Sequence, residues 1–256
     1  IVLIHGTASS LHTWEVWTDI LSKNYKVISF DLPAFGLTGP SPDREYSIDN
    51  YVRYVDKMVS KIGVDSFHMA GNSLGGSIAW NYALDHPEKV GKLILVNAAG
   101  YPLDKDVPLA FKIAQTPGLK NIMQKVTPKS LIEKSLYEVF HDDNLVNEDI
   151  INRYFDMTLR EGNREAFGDR VVQVHYDNSE NIKRIPHQTL IMWGEYDLWI
   201  PVSCAHKFHE DIANSALKIY DNCGHIPMEE NAVQSAHDVE AFLMKNESPI
   251  SQYSNQ

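Results

Sequence analysis

Three residue types, far apart in a chain of 256 residues, could do chemistry together. Gly71-Asn72-Ser73-Leu74-Gly75 fits the pattern G-x-S-x-G, with a strand-like apolar run before it and a helical pattern after it. A strand-to-helix turn this sharp forces its central residue into strained dihedrals. The flanking glycines, with Gly76, remove side chains that would collide. Ser73 Oγ then stands clear of the backbone at a helix N-terminus, where the N–H of Leu74 and the helix dipole favour an oxyanion. A serine hydroxyl is a weak nucleophile and needs a base. Of 11 histidines, His225 lies in Asn222-Cys223-Gly224-His225-Ile226-Pro227, after the last strand and before a closing helix. Open α/β sheets place their sites in such loops at the carboxyl ends of strands. An imidazole base needs a carboxylate to fix its tautomer and stabilise its charged form. Asp197, in Trp193-Gly194-Glu195-Tyr196-Asp197, sits a few residues past a strand end; Glu195 is its rival. The other place for an acid is after the run Lys92–Val96, but Asn97 stands there and an amide cannot serve.

A second oxyanion donor is expected from the loop after the first strand, His5-Gly6-Thr7. Gly6 lets the backbone turn close to the site, so the N–H of Thr7 is the candidate donor and that of Ala8 the alternative. His206 and His209 are spaced i, i+3 in a helical stretch, but no third ligand is near, which favours a surface face over a metal site. His86 is read as ending the helix after the nucleophile. His12, His68, His141, His175, His187 and His237 have no motif around them and are read as core or surface residues. Cys204 and Cys223 make no disulfide framework.

These residues need a scaffold. Short apolar runs at Ile1–Ile4, Tyr25–Phe30, Ser66–Ala70, Lys92–Val96, Thr189–Met192 and Ala216–Tyr220 read as strands. Between them lie helical patterns: Ser47–Ile62 with Ser47 as N-cap, Leu74–Leu84, and Val233–Leu243. This alternation indicates a mostly parallel sheet covered on both faces. From about Tyr101 to Pro186 the alternation stops. Helical patches at Leu109–Ala114, Ser130–Phe140 and Glu148–Leu159 are broken by Pro102, Pro108, Pro117 and Pro128. An insertion of this length is too long for a loop and reads as a helical cap. The expected organisation is a core of residues 1–100 and 187–246, a cap of residues 101–186, and a polar tail of residues 247–256. Hydrophobic residues make up 43% and charged residues 22%, the balance of a globular protein. The net charge of −11 makes nucleic acid and anionic lipid poor partners overall. No apolar run approaches the ~20 residues of a membrane helix.

With Asp31-Leu32-Pro33-Ala34-Phe35-Gly36 and Trp14 added, these motifs resemble the α/β-hydrolase fold family across nearly the whole sheet portion, in its chain order Ser–Asp–His. The resemblance is nearest the bacterial esterase and lipase branch. It implies a hydrolase with Ser73 as nucleophile, His225 as base and Asp197 as orienting acid, with no metal and no organic cofactor. The expected substrate is a small or medium apolar carboxylic ester, because cap residues such as Leu103, Leu109, Phe111 and Ile113 are apolar. Ser73 disfavours the branches with an Asp nucleophile. The runner-up is the branch of carbon–carbon hydrolases acting on meta-ring-fission products, which the pairs Asn72-Ser73 and Gly75-Gly76 also resemble. Thr7-Ala8-Ser9-Ser10, where that branch carries a glycine-rich run, counts against it. A slow, receptor-like hydrolase is a third reading. The family sheet begins with two strands ahead of the His-Gly strand. The expectation is therefore a longer source protein, in which those strands would cover the apolar edge Tyr25–Phe30. Oligomeric state and compartment are left open.

Overall fold

Aliphatic and β-branched residues dominate the short runs that form the sheet of this computed structural model, which describes residues 1–104, 107–116, 118–173 and 177–245. In chain order the elements are β1 (Val2–Ile4), α1 (Glu15–Leu21), β2 (Ile28–Phe30), α2 (Ile48–Lys61), β3 (Phe67–Asn72), α3 (Leu74–Asp85) and β4 (Val90–Val96). Five helices follow: α4 (Leu109–Gln115), α5 (Leu119–Lys125), α6 (Lys129–Val139), α7 (Glu148–Leu159) and α8 (Asn163–Val172). The chain then returns to β5 (Gln188–Gly194), α9 (Ser203–Asp211), β6 (Ser215–Tyr220), α10 (Pro227–Glu230) and α11 (Ala232–Met244). The six strands are all parallel, in the order β2-β1-β3-β4-β5-β6.

Successive residues of the central strands feed two different cores. Val2, Ile4, Met69, Leu93, Leu95 and Ile191 pack on one side. Leu3, Ala70, Ile94, Val96, Leu190 and Met192 pack on the other. A strand buried on both faces has no polar side, which is why these runs are continuous rather than alternating. α3 is buried nearly all round, from Leu74 to Ala83. α2 buries one stripe, Tyr51, Val52, Val55 and Val59, and the Ser47 hydroxyl caps it by accepting from the N–H of Asn50 at 3.2 Å. On the opposite face α1 meets α11, where Trp17 Nε1–H donates to Ser235 Oγ at 2.8 Å.

The α/β class and the sheet with its inserted helices agree with the sequence reading. β2 is shorter than the run Tyr25–Phe30, because its neighbour β1 has three residues to pair with it, Val2 with Ile28 through Ile4 with Phe30. β3 runs two residues further than read, to Asn72, so the turn at Ser73 follows the ladder without a break. Helices α1, α5 and α10 have seven residues or fewer, and α8 buries Asn163, Ala166 and Gly168 rather than an apolar stripe, so periodicity does not show them. The polar tail from residue 247, His175 and Pro117 lie outside the described residues.

Lys92 is the charged side chain that β4 buries, at 7% exposure. Its Nζ donates to the carbonyls of Phe242 (3.0 Å), Leu243 (3.3 Å) and Lys245 (2.6 Å). The last carbonyls of a helix have no partner within it, and a cation there is favoured by the helix dipole. Replacing Lys92 by Met keeps the stem and strands these carbonyls. Urea unfolding of Lys92→Met should show a loss of about 2 kcal/mol, the scale of hydrogen bonds to a charged group.

Candidate active site

The candidate nucleophile is placed by contact between backbones. Ser73 has φ 54° and ψ −114°, a left-handed φ that side chains other than glycine avoid. Its N–H donates to Val96 O at 3.1 Å and its carbonyl accepts from Ala99 N at 3.0 Å, so β4 and the chain after it hold the strained residue from both sides. α3 can start this close to the sheet because two glycines leave room. A Cβ on Gly71 would stand 2.1 Å from Gly75 O, and one on Gly75 would stand 2.1 Å from Ile4 O. Gly6 is similarly confined, its virtual Cβ falling 2.8 Å from Asn72 Oδ1 and 3.1 Å from the Cβ of Ser73. The loop after β1 therefore runs against the serine. Gly6 O accepts from Ser9 N at 3.3 Å across a turn with Ala8 at φ 59°. Thr7 and Ala8 both line the cavity above Ser73, and Leu74 follows the serine as the first residue of α3.

His225 and Asp197 meet across the ends of β5 and β6. The Asp197 carboxylate is buried and accepts four hydrogen bonds. Oδ2 accepts from His225 Nδ1–H at 2.7 Å and from the amide of Asn97 at 2.7 Å. Oδ1 accepts from the backbone N–H groups of Trp199 at 2.7 Å and Ile200 at 2.9 Å. Because the carboxylate can only accept, the imidazole hydrogen sits on Nδ1, leaving Nε2 as the free basic nitrogen. That nitrogen is buried and has no hydrogen-bond partner among the described residues, while both His225 and Ser73 line the cavity. The rival Glu195 is exposed. Asn97 stands at the other strand end read as a place for an acid. It is fully buried, with φ 44°, and it also donates to Gly224 O at 3.3 Å. The motif reading dismissed Asn97 as an amide, yet an amide here serves as a donor to the acid.

His5 has a different task. It is fully buried, accepts the N–H of Leu32 at Nε2 (2.9 Å) and donates from Nδ1 to Gly6 O (2.7 Å). Burial pushes its pKa down to about 4, against the partial support of the Gly6 carbonyl and of Asp31. Asp31 in turn accepts from Leu11 N and Leu37 N, both at 2.7 Å. The motif Asp31–Gly36 is thus a buckle that fixes the loop after β1.

Two acids that the motifs did not point to tie the inserted helices to this site. Glu230 accepts from Gly224 N (2.7 Å) at one oxygen and from His141 N (2.7 Å), beyond α6, at the other. The N–H of His225 itself donates to Val139 O at the end of α6, at 2.7 Å. Glu229 accepts from Thr13 Oγ1 (2.5 Å) and from the hydroxyl of Tyr154 on α7 (2.5 Å). Burial raises the pKa of both glutamates. The sequence signal is an acidic pair in Pro227-Met228-Glu229-Glu230, which looks like an ordinary helix N-terminus.

The cavity over Ser73 has an empty volume of about 1060 Å³ counted with its mouth. Its walls come from both layers, with Phe35, Phe111, Met123, Leu136, Phe167 and Trp199 among them. His206 and His209 lie on the exposed side of α9, and His209 Nδ1 is paired with Ser215 Oγ at 2.8 Å. Among the described residues no group of three His, Cys, Asp or Glu could hold a metal. Among them, too, no helix is long and apolar enough to cross a membrane. Both cysteines are buried and neither is in a disulfide, and burial pushes the Cys223 thiol up, away from reactivity.

Comparison with known proteins shows the family of the chain. A family model described as alpha/beta hydrolase fold matches residues 1–232. The 2-hydroxymuconate semialdehyde hydrolase of Pseudomonas sp. (strain CF600) is 28% identical over 254 residues, 95% of this chain and 86% of its own. Among solved structures, a meta-cleavage product hydrolase from Pseudomonas fluorescens IP01 superposes with a TM-score of 0.82 at 26% identity, covering 94% of this chain and 89% of its own. A membrane phospholipase A, described as a bacterial virulence factor, superposes with a TM-score of 0.78 at 27% identity, covering 94% and 77%.

Two outcomes follow from the contacts of Asp197 and His5. Asp197→Asn should lower kcat for hydrolysis by about 10⁴, because an amide there favours the wrong imidazole tautomer. Asn97→Ala should lower kcat by a smaller factor with KM unchanged, and Glu195→Gln should do neither; steady-state kinetics decide, and the reverse order moves the acid to Glu195. For His5, the unfolded chain takes up the proton near the ordinary histidine value of ~6.5, the folded chain only near 4. Stability present above pH ~6.5 is therefore lost as pH falls toward 4, by as much as about 3 kcal/mol. Urea titrations across this window should show a steeper fall for the natural chain than for His5→Gln.

Proposed function

On the premise that this chain belongs to the α/β-hydrolase fold family, we propose that it hydrolyses carboxylic esters through an acyl-enzyme on Ser73. In this reading Ser73 Oγ attacks the ester carbonyl while His225 Nε2 takes its proton. The N–H groups of Thr7 and Leu74 hold the oxyanion, an effect of ~3–4 kcal/mol per donor where one has been removed from a comparable enzyme. The tetrahedral intermediate then collapses, and His225 gives the proton to the departing alcohol. Water, deprotonated by the same nitrogen, attacks the acyl carbon, and Ser73 leaves with the proton returned. Asp197 keeps the imidazole in the tautomer that both halves need.

The observation that carries the ester reading is the polarity of the cavity. Its wall is mostly apolar, and at Tyr154 it is backed by the enclosed carboxyl of Glu229. Among the described lining residues Arg164 is the sole cation. Its Nε and Nη1 are already given to the carbonyls of Thr158 (3.4 Å) and Lys125 (2.5 Å). A neutral acyl chain suits such a wall. An anionic substrate would leave its charge poorly paired in a low-dielectric cavity.

A second reading, hydrolysis of a carbon–carbon bond, is favoured by the relatives. Several carry such activities in their names, among them the 2-hydroxymuconate semialdehyde hydrolase and a 2-hydroxy-6-oxo-2,4-heptadienoate hydrolase from Pseudomonas putida, 26% identical. The latter name describes a carboxylate substrate, so the two readings differ in what the cavity must seat. The same serine, histidine and acid could serve either reaction.

A panel of p-nitrophenyl esters of graded acyl length, run beside a 2-hydroxy-6-oxo-dienoate, separates the readings. The expected result is higher kcat/KM on an ester than on the dienoate, with loss of ester turnover and of fluorophosphonate labelling in Ser73→Ala. Faster cleavage of the dienoate would install the second reading. Wild-type turnover in Ser73→Ala would remove the serine from the chemistry.

A further inference from the structure

We propose that the outer face of α4 and α5 docks on an anionic phospholipid–water interface, so that the substrate is an amphiphilic ester drawn from lipid. The inference rests on the ester reading and names its substrate class. On α5 and its end, Leu119, Ile122 and Val126 stand at positions i, i+3 and i+7, and are 47%, 63% and 63% exposed. Residues with this spacing share one helix face. Leu109 at the start of α4, with Leu103 and Val107 ahead of it, is exposed as well. Isolated exposed aliphatics are ordinary, but a cluster on two adjoining short helices marks a docking surface.

Charge and position select the occupant. From Leu103, where the apolar cluster begins, to residue 132 the sequence holds Lys105, Lys112, Lys120, Lys125 and Lys129 against Asp104 and Asp106, a local excess of cations in a chain of net charge −11. Lys120 and Lys129 reach back to Asp169 (3.2 Å) and Glu148 (2.8 Å), while exposed Lys125 adjoins Val126. An apolar helix face with lysines around it is the composition of segments that lie in the headgroup region of anionic lipid. A second copy fits less well, since a two-fold contact sets each patch, lysines included, against itself. The same helices turn their other sides inward, where Phe111 and Met123 line the cavity over Ser73. An acyl chain leaving the interface would have one helix layer, about 10 Å, to pass.

The test reads binding apart from chemistry. Ser73→Ala, with and without Ile122→Glu and Val126→Glu, is sedimented with vesicles of phosphatidylcholine containing phosphatidylglycerol. Ile122 and Val126 do not line the cavity, and circular dichroism checks that the variants fold. The proposal expects co-sedimentation that added salt weakens and that the two glutamates reduce by about tenfold or more. With Ser73 restored, the glutamates should leave turnover of a monomeric short-chain p-nitrophenyl ester unchanged and lower turnover of the same headgroup ester presented in vesicles. Equal sedimentation of both proteins, or none by either, overturns the proposal, as does a dimer in size-exclusion chromatography that the glutamates dissolve. Failure of the ester reading is seen separately, as no turnover of the monomeric ester while vesicle binding persists.

Discussion

A carboxylate taken out of water must be given donors, and Asp197 is given four. Desolvating a charge costs several kcal/mol unless hydrogen bonds replace the lost water. Here the replacements come from three places: the backbone of the Asp197 loop itself at Trp199 and Ile200, the amide of Asn97 at the end of β4, and His225 beyond β6. The ends of β4, β5 and β6 are therefore locked to one another by a single side chain. The position of His225 Nε2 is a consequence of this lock, and so is the register in which the imidazole meets the cavity. Removing any one donor leaves the others to hold the charge, but removing the charge leaves four donors aimed at nothing.

A steric constraint does for Ser73 what this electrostatic one does for His225. The strained turn exists because α3 starts in contact with the backbone of β1, and only glycine at positions 71 and 75 permits that contact. The strain is borne by bonds on both sides of Ser73, to Val96 and from Ala99. The candidate nucleophile and base thus arrive by independent routes, one through packing and one through hydrogen bonding. The inserted helices join the second route. Glu230 and the N–H of His225 bind the end of α6, and Glu229 binds α7, so this side of the cap is fastened to the histidine loop itself.

These routes differ in how plainly a sequence shows them. Backbone contact demands glycine, and glycines at fixed offsets from a serine are visible, so Ser73 and its turn could be read directly. The sheet was readable because strands buried on both faces must be apolar throughout. His225 and Asp197 were found from their places after strands, and the choice over Glu195 is explained by backbone donors at Trp199 and Ile200 that no motif encodes. Asn97, Glu229 and Glu230 were not assigned these roles, because a polar residue that serves by accepting or donating one bond carries no signature in its spacing. The limits of β2 depended on the length of its neighbour, and the short helices of the cap on contacts made by other segments. Such features belong to pairs of segments, whereas periodicity is a property of one.

The same distinction bears on substrate choice. In the proposed function, chemistry at the carbonyl needs the serine, the imidazole and the amides, while relatives named for cleaving different bonds share the fold. Selection must then lie in what surrounds the scissile group. In this chain the surroundings are supplied by α4 to α8, where the sequence follows no family motif, and by Glu229, which places a carboxyl behind the wall near Tyr154. In the ester reading, an apolar wall penalises a negatively charged substrate by desolvation. An uncharged acyl chain avoids that cost and gains about 0.8 kcal/mol for each methylene it buries. Relatives at 26–28% identity match this chain along 90–95% of its length. In the proposed function the inserted helices select which carbonyl reaches Ser73, while the turn at Ser73 and the donors from Trp199, Ile200 and Asn97 to Asp197 are set by the sheet and its loops.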